Sequence, residues 1–396
     1  MSPGLLQLQS VGEQDVFLTQ SPQINIFKYS YYRYVNFATE VVKLPINTVV
    51  NFNKKASCEI SKRGHLLSKL YLHLKLPALV KKSGEYVCWS DTLGYAIFSD
   101  PIELEIGGVV IDKLYPQFLD IWDEFSNIDK TLGRNFMTMK SDYYNSTKHN
   151  AIKPFDLIIP LDFWFCKNPN QALPIVSMYS QDIKINFKLK AFSDVINYDG
   201  LEPDPVNIIE SHIYAEYIFL DDIILPKFQE QRHTFVIDQI QYNELEIISG
   251  SAVTYNSILK FNHPVKELFW GCVEKRNIDN NNYFVYATDD ELPIISEAAL
   301  LLDGVYRFDY LPEFYFRSIF PNNVHSTIPM KYVYCLPFAI KPEDTQPTGS
   351  INMSRFSDVM LSLKFNPHYE CFLYVFALSY NILTIEKGTF TLEFSS

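Results

Sequence analysis

The stretch LYLHLKL, residues 70–76, decides the fold class. Successive side chains of an extended chain point to opposite faces. Leu70, Leu72, Leu74 and Leu76 therefore share one face, and Tyr71, His73 and Lys75 the other. Wound into a helix, the same leucines would fall on two opposed sides and make no single apolar stripe. Period-two alternation of this kind marks a strand with one face in a core.

The pattern repeats outward in both directions. Ile102, Leu104 and Ile106 alternate with Glu103 and Glu105, and Gly107-Gly108 then supplies a turn before residues 109–111. Ile183, Ile185, Phe187 and Leu189 alternate with Lys184, Asn186, Lys188 and Lys190. Late in the chain, Val359, Leu361, Leu363 and Phe365 alternate with Ser362 and Lys364, and Phe390, Leu392 and Phe394 with Thr391 and Glu393. Tyr374, Phe376 and Leu378 read as a further core strand. The 22 prolines fall mostly between these runs, where a residue lacking an N–H belongs. Helical signals are few. Phe118, Trp122 and Phe125 follow Pro116 at helical spacing, with Asp120, Asp123 and Glu124 on other faces, which predicts one short amphipathic helix. A second helical turn is expected over 227–232 after Pro226, within a mid-chain junction over 219–233. No repeat of 20 to 50 residues is present, which disfavours propellers and solenoids. The expectation is an all-β chain of two tandem β-sandwiches with few short helices. Alternation alone leaves an eight-stranded jelly roll and an immunoglobulin-like sandwich both open.

Composition sets further bounds. The 396 residues are 47% hydrophobic and 15% aromatic, with 30 Phe and 26 Tyr, enough for two sizeable cores. Net charge is −12, and the basic pairs Lys54-Lys55 and Lys81-Lys82 stand alone. A protein that coats nucleic acid needs a positive field, so no direct nucleic-acid binding is expected. Cysteines at 58, 88, 166, 272, 335 and 371 form no Cys-x-x-Cys pair and read as reduced thiols. The first residues, MSPGLLQLQS, lack the basic start and long apolar core of a signal peptide, which points to a cytoplasmic site of synthesis. The apolar run over 371–383 is too short to span a bilayer. Asn145-Ser146-Thr147 and Asn352-Met353-Ser354 match the glycosylation pattern and are read as chance.

Chemistry-bearing constellations are missing. The eight histidines (65, 73, 149, 212, 233, 263, 325, 368) are scattered, with no His-x-His pair or His-Glu-x-x-His run. There is no Gly-x-Ser-x-Gly elbow and no phosphate-binding Gly-rich loop. Asp221-Asp222 and Asp289-Asp290-Glu291 are adjacent carboxylates, which point apart in a strand and are solvated in a loop. No catalytic, cofactor or metal residues are assigned, no cofactor is expected, and the chain is not read as an enzyme. The clusters Tyr29, Tyr31, Tyr32, Tyr34 and Phe314, Tyr315, Phe316 favour packing, but keep a carbohydrate-binding β-sandwich open as a reading of a different class.

Eight segments in order carry a resemblance: GEQDVFLTQSPQINIFK (12–28), YYRYVNFA (31–38), PLDFWFCKNPNQALPIVSM (160–178), AEYIFLDD (215–222), LKFNHPVKELFW (259–270), YRFDYLPEFYF (306–316), YCLPFAIKPEDTQPTGSINMSRF (334–356) and FALSYNILTIEKGTFTLEFSS (376–396). Together they resemble the major capsid protein family of nucleocytoplasmic large DNA viruses, of the iridovirus and phycodnavirus kind. The resemblance implies a double jelly roll: an arm over 1–24, a first eight-stranded roll over 25–222 and a second over 223–396. It implies a homotrimeric, pseudo-hexagonal capsomer that tiles an icosahedral virion capsid over an internal membrane. The implied partners are the chain itself, neighbouring capsomers, and minor capsid and penton proteins. Assembly would take place in a viral factory in the host cytoplasm. Within the arm, Leu5, Leu6, Leu8, Val11, Gln14, Asp15 and Phe17 are the expected assembly contacts. A minor capsid or scaffold paralogue of the same fold is the alternative. The arm departs from the family at Tyr31-Tyr32-Arg33, where two basic residues commonly follow a Tyr, and at Gln20-Ser21, where Asn commonly precedes the Pro.

Overall fold

The computed structural model describes residues 2–126, 137–140 and 151–394; Asn145-Ser146-Thr147 and His149 lie outside them. The chain forms two compact units, Met1–Phe37 and Ala38–Ser396. The first contains two one-turn-and-more helices, α1 (Pro3–Gln9) and α2 (Glu13–Thr19). Ser2 caps α1, with Pro3 in its first turn, and the Asp15 carboxylate accepts the Gly12 N–H at 2.9 Å at the start of α2.

Sixteen principal strands build the rest. The first eight are β1 (Phe37–Pro45), β2 (Lys55–Glu59), β3 (Leu66–Leu76), β4 (Ile102–Ile106), β5 (Val109–Leu114), β6 (Phe155–Pro160), β7 (Ile183–Lys188) and β8 (Glu210–Leu220). They make two four-stranded sheets, β1-β8-β3-β6 and β2-β7-β4-β5. The second eight are β9 (His233–Tyr242), β10 (Thr254–Ile258), β11 (Pro264–Glu274), β12 (Ile295–Leu302), β13 (Val305–Pro312), β14 (Val333–Pro337), β15 (Val359–Phe365) and β16 (Cys371–Glu386). Their sheets run β9-β16-β11-β14 and β10-β15-β12-β13. Counted from its own first strand, each set has the order 1-8-3-6 in one sheet and 2-7-4-5 in the other. That order is the eight-stranded jelly roll, and it occurs twice in one chain. Short strands extend the frame: Val87–Trp89 pairs with Ile196–Tyr198, Glu246–Ile248 and Thr389–Leu392 add to β16, and Ile351–Asn352 adds to β11.

Local sequence explains the corners. Gly107 and Gly108, at φ +57° and +85°, close a two-residue hairpin in which Ile106 faces Val109. The equivalent corner of the second roll is Asp303-Gly304, at φ +49° and +78°, with Leu302 facing Val305. Positive φ at both central residues matches the twist of the flanking strands. Asp303 holds its turn by accepting the N–H groups of Ser357 and Asp358 at 2.7 and 2.9 Å.

Leu70, Leu72, Leu74 and Leu76 are buried in the first core, as their alternation requires. The second roll departs from simple alternation. In β16, Tyr374, Phe376 and Leu378 pack into the cluster that also holds the first roll's core, while Leu373, Val375 and Ala377 face the second core. In β11, Phe269 and Val273 do the former, and Leu268, Trp270 and Cys272 the latter. The sheet β9-β16-β11-β14 is thus buried on both faces, and its runs of continuous apolar sequence follow from that.

The helix α3 (Pro116–Phe125) is where the sequence reading needs correction. Its apolar spacing is as expected, but its acidic side does not face water: Asp120, Asp123 and Glu124 are all buried. The expected turn after Pro226 forms as α4 (Leu225–Glu230). All six cysteines are free. No helix among the described residues is long and apolar enough to cross a membrane.

Candidate assembly surfaces and the seam between the rolls

Both helices of the first unit are exposed along their whole length. Leu5 and Leu6 are about half exposed and Leu8 three-quarters, all on α1; Val11 follows it, and Phe17 on α2 is 88% exposed. Gln14 and Asp15 lie on the first turn of α2, where Asp15 serves the helix start and its carbonyl accepts the Thr19 hydroxyl. Leu5, Leu6, Leu8, Val11 and Phe17 are thus apolar side chains exposed to water within one short stretch of chain. Ser21 sits at φ +55°, a left-handed conformation that Asn tolerates better than Ser.

The other constellation is the seam on the outer face of the β9-β16-β11-β14 sheet, against which α3 packs. Phe118 stands edge-on to Phe269 and Phe376, each at 5.6 Å between ring centres, and Trp122 and Phe125 reach Phe269 at 5.8 and 5.5 Å. Such pairs add roughly 0.5–1.5 kcal/mol each beyond the area they bury.

Charged side chains lie beside these rings, most of them in ion pairs. Lys331 of the second roll reaches Asp120 of α3 at 2.6 Å, and Lys140 reaches Glu124 at 2.9 Å. The second Glu124 oxygen accepts the Met330 N–H at 3.1 Å, and the Thr327 hydroxyl donates to the Ser126 carbonyl at 2.7 Å. Burial works against the charge of Glu124, but the two lysines outweigh it and hold its pKa below the usual range. Further along, Asp238 of β9 accepts Lys167 of the first roll at 3.2 Å and the fully buried Lys266 of β11 at 2.8 Å. Asp112, within β5, accepts the Lys113 N–H at 2.9 Å but forms no ion pair among the described residues, and burial pushes its pKa up to about 7. His325 is buried beside Glu267 and Glu343; their carboxylates overcome the burial that disfavours its charge, raising its pKa to about 9.

Sequence reasoning found none of these ion pairs, because their members lie 16 or more residues apart and are brought together only by the fold. Of the aromatic clusters it singled out, Phe316 is a core residue packed on Trp270 at 5.2 Å, whereas Tyr29, Tyr31, Tyr32 and Tyr34 are exposed. Asn352, in the glycosylation pattern read as chance, uses its side chain to accept the Ser354 N–H at 3.1 Å.

Two jelly rolls in tandem, welded by a buried seam, define a double jelly-roll protein. A family model described as "Major capsid protein N-terminus" matches residues 25–221, and one described as "Large eukaryotic DNA virus major capsid protein" matches 226–391. The major capsid protein of Pyramimonas orientalis virus is 31% identical, over the whole of both chains. That of Paramecium bursaria Chlorella virus 1 is 30% identical over 92% of this chain and 88% of its own length. Among solved structures, a quasi-atomic model of the PBCV-1 virus capsid superposes with a TM-score of 0.82, over 94% of this chain and 100% of that one, at 24% identity. The chain belongs to the major capsid protein family of large eukaryotic DNA viruses.

Proposed function

We propose that this chain is the shell-building subunit of a large icosahedral virus, that it acts as a homotrimer, and that it is not an enzyme. The observation that carries this reading is the exact recurrence of one strand order in two rolls of a single chain. Three such chains related by a three-fold axis present six similar lobes, and so a nearly hexagonal outline able to tile a flat face. Weak contacts between neighbouring capsomers then suffice, because they are repeated many times. We assign the arm to residues 1–24, the first roll to 25–222 and the second to 223–396. The exposed apolar side chains of the arm are the contacts to minor capsid and penton proteins beneath the shell, above an internal membrane, and assembly takes place in the host cytoplasm. The net charge of −12 supports a shell that does not itself hold the genome.

Light scattering of the purified protein, with electron microscopy of the same sample, tests the reading. A particle of three chain masses with a six-lobed outline is expected; a stable monomer without that outline would overturn it.

A further inference from the structure

The seam contains one buried group of side chains that neither packing nor salt bridging uses fully. Glu267 lies on β11, Cys335 on the neighbouring β14, and His325 just after the short helix Phe320–Val324. Phe269 is opposite Cys335 in the register and Glu267 opposite Pro337, so the Glu267 and Cys335 side chains share one face of the sheet. A carboxylate oxygen of Glu267, a ring nitrogen of His325 and the Cys335 sulfur lie within 4.8 Å of one another. The Glu267, His325 and Cys335 side chains are shut off from water.

A salt-bridged imidazolium explains part of this. His325 Nε2 is 2.7 Å from Glu267 Oε1, and Nδ1 is 3.1 Å from Glu343 Oε1. It leaves Glu267 Oε2 buried without any partner among the described residues. An unsatisfied buried acceptor costs about 1–3 kcal/mol, more when charged, and the Cys335 thiol beside Glu267 offers it only a weak S–H donor. A cation accounts for both.

We propose that Glu267, His325 and Cys335 form a structural site for a divalent transition-metal ion of the zinc class. Thiolate, imidazole and carboxylate together are the donor set such ions prefer over calcium or magnesium. Glu343 fits the part of the outer carboxylate that fixes the histidine tautomer through Nδ1. It is itself held by Ser326, whose N–H and hydroxyl donate to it at 2.8 and 2.5 Å. On binding, Cys335 gives up its thiol proton and His325 the proton on Nε2. Both protons pass to solvent, so the ion is held less tightly as pH falls. The ring of His325 lies 5.0 Å from Phe125 and 6.0 Å from Trp122 of α3, so an ion here ties β11, β14 and the segment after Phe320–Val324 together beneath that helix.

The test uses the full chain, freed of metal by chelator dialysis and titrated with cobalt(II) under equilibrium dialysis. One cobalt per chain is expected, with a sulfur-to-cobalt charge-transfer absorption that disappears in Cys335→Ser. Glu343→Gln should keep that absorption while lowering affinity about 10- to 100-fold. Because Glu343 is at the rim of the site, this variant keeps the test decisive should Cys335→Ser fail to fold. Failure to retain one cobalt per chain would overturn the proposal. So would an absorption unchanged in Cys335→Ser, or an affinity unchanged in Glu343→Gln.

Discussion

Lys387 and Gly388 close the last hairpin of the chain at φ +52° and +84°. A lysine gains nothing from that conformation, and left-handed backbone costs an ordinary residue roughly 1–2 kcal/mol. Lys387→Asn should therefore raise stability by about 0.5–1 kcal/mol in urea unfolding, since Asn tolerates the region better. Gly388→Ala should do the reverse and more severely, because its new methyl would stand 2.6 Å from the Tyr179 ring. Asp112 gives a pH dependence of known sign. Burial favours its protonated form, so its folded pKa, about 7, lies above the unfolded value. Its contribution is complete below the unfolded pKa and is lost as pH rises through about 7. Asp112→Asn should thus gain on the parent protein between pH 5 and pH 8, by on the order of 3 kcal/mol at the upper end. Thermal melts of both proteins across that range check it, and parallel curves would contradict the assignment. At this scale the sequence was legible where chemistry is local. Gly107-Gly108 announces its hairpin, and Asp303-Gly304, a pair of the same kind, could have been read the same way. The burial of Asp112 could not, because what covers it comes from β9, more than a hundred residues on.

The helix α3 and the sheet beneath it carry the next level. Phe269 meets three aromatic rings of α3, so Phe269→Ala should cost about 3–5 kcal/mol. Asp120→Ala should cost less, about 1–3 kcal/mol, since it removes the hydrogen bonds of the Lys331 ammonium to a carboxylate and leaves that ammonium only Glu124 at 3.8 Å. Urea unfolding gives both values, and a loss below 1 kcal/mol in either would show that the seam does not bear on stability. The amphipathic spacing of Phe118, Trp122 and Phe125 announced this helix correctly. The burial of its acidic residues was not legible, because Lys331 and Lys140, which pair with Asp120 and Glu124, and Tyr95, which donates to Asp123, cannot be found by periodicity. Strand β16 shows the converse. Alternation picked out Tyr374, Phe376 and Leu378 as core, yet a strand covered on both sides has no polar face to alternate with, and Leu373, Val375 and Ala377 are buried as well.

At the scale of the whole chain, the shared seam makes the two rolls one cooperative body. Calorimetry should show a single transition for the parent protein, and two for the double variant Trp122→Ala with Phe269→Ala, in which the seam is weakened but each roll keeps its own core. If the proposed trimer forms, removal of residues 1–24 should leave it intact and impair shell formation; loss of the trimer on that deletion would count against the role proposed for the arm. The class and tandem arrangement of the fold were legible from alternation and the mid-chain junction. The choice of jelly roll was not, because strand order is a long-range property that spacing does not encode, and the resemblance supplied it. That order also bears on biosynthesis. In each roll the eighth strand slots between the first and the third, so neither sheet closes until its final strand has left the ribosome. Strand β16 completes the second roll and supplies Phe376 and Leu378 to the seam as well. A chain whose translation stops short of Cys371 therefore lacks the strand that joins β9 to β11, and its Phe118 lacks the Phe376 ring. Such a product should aggregate, because it exposes apolar surface that the full chain buries.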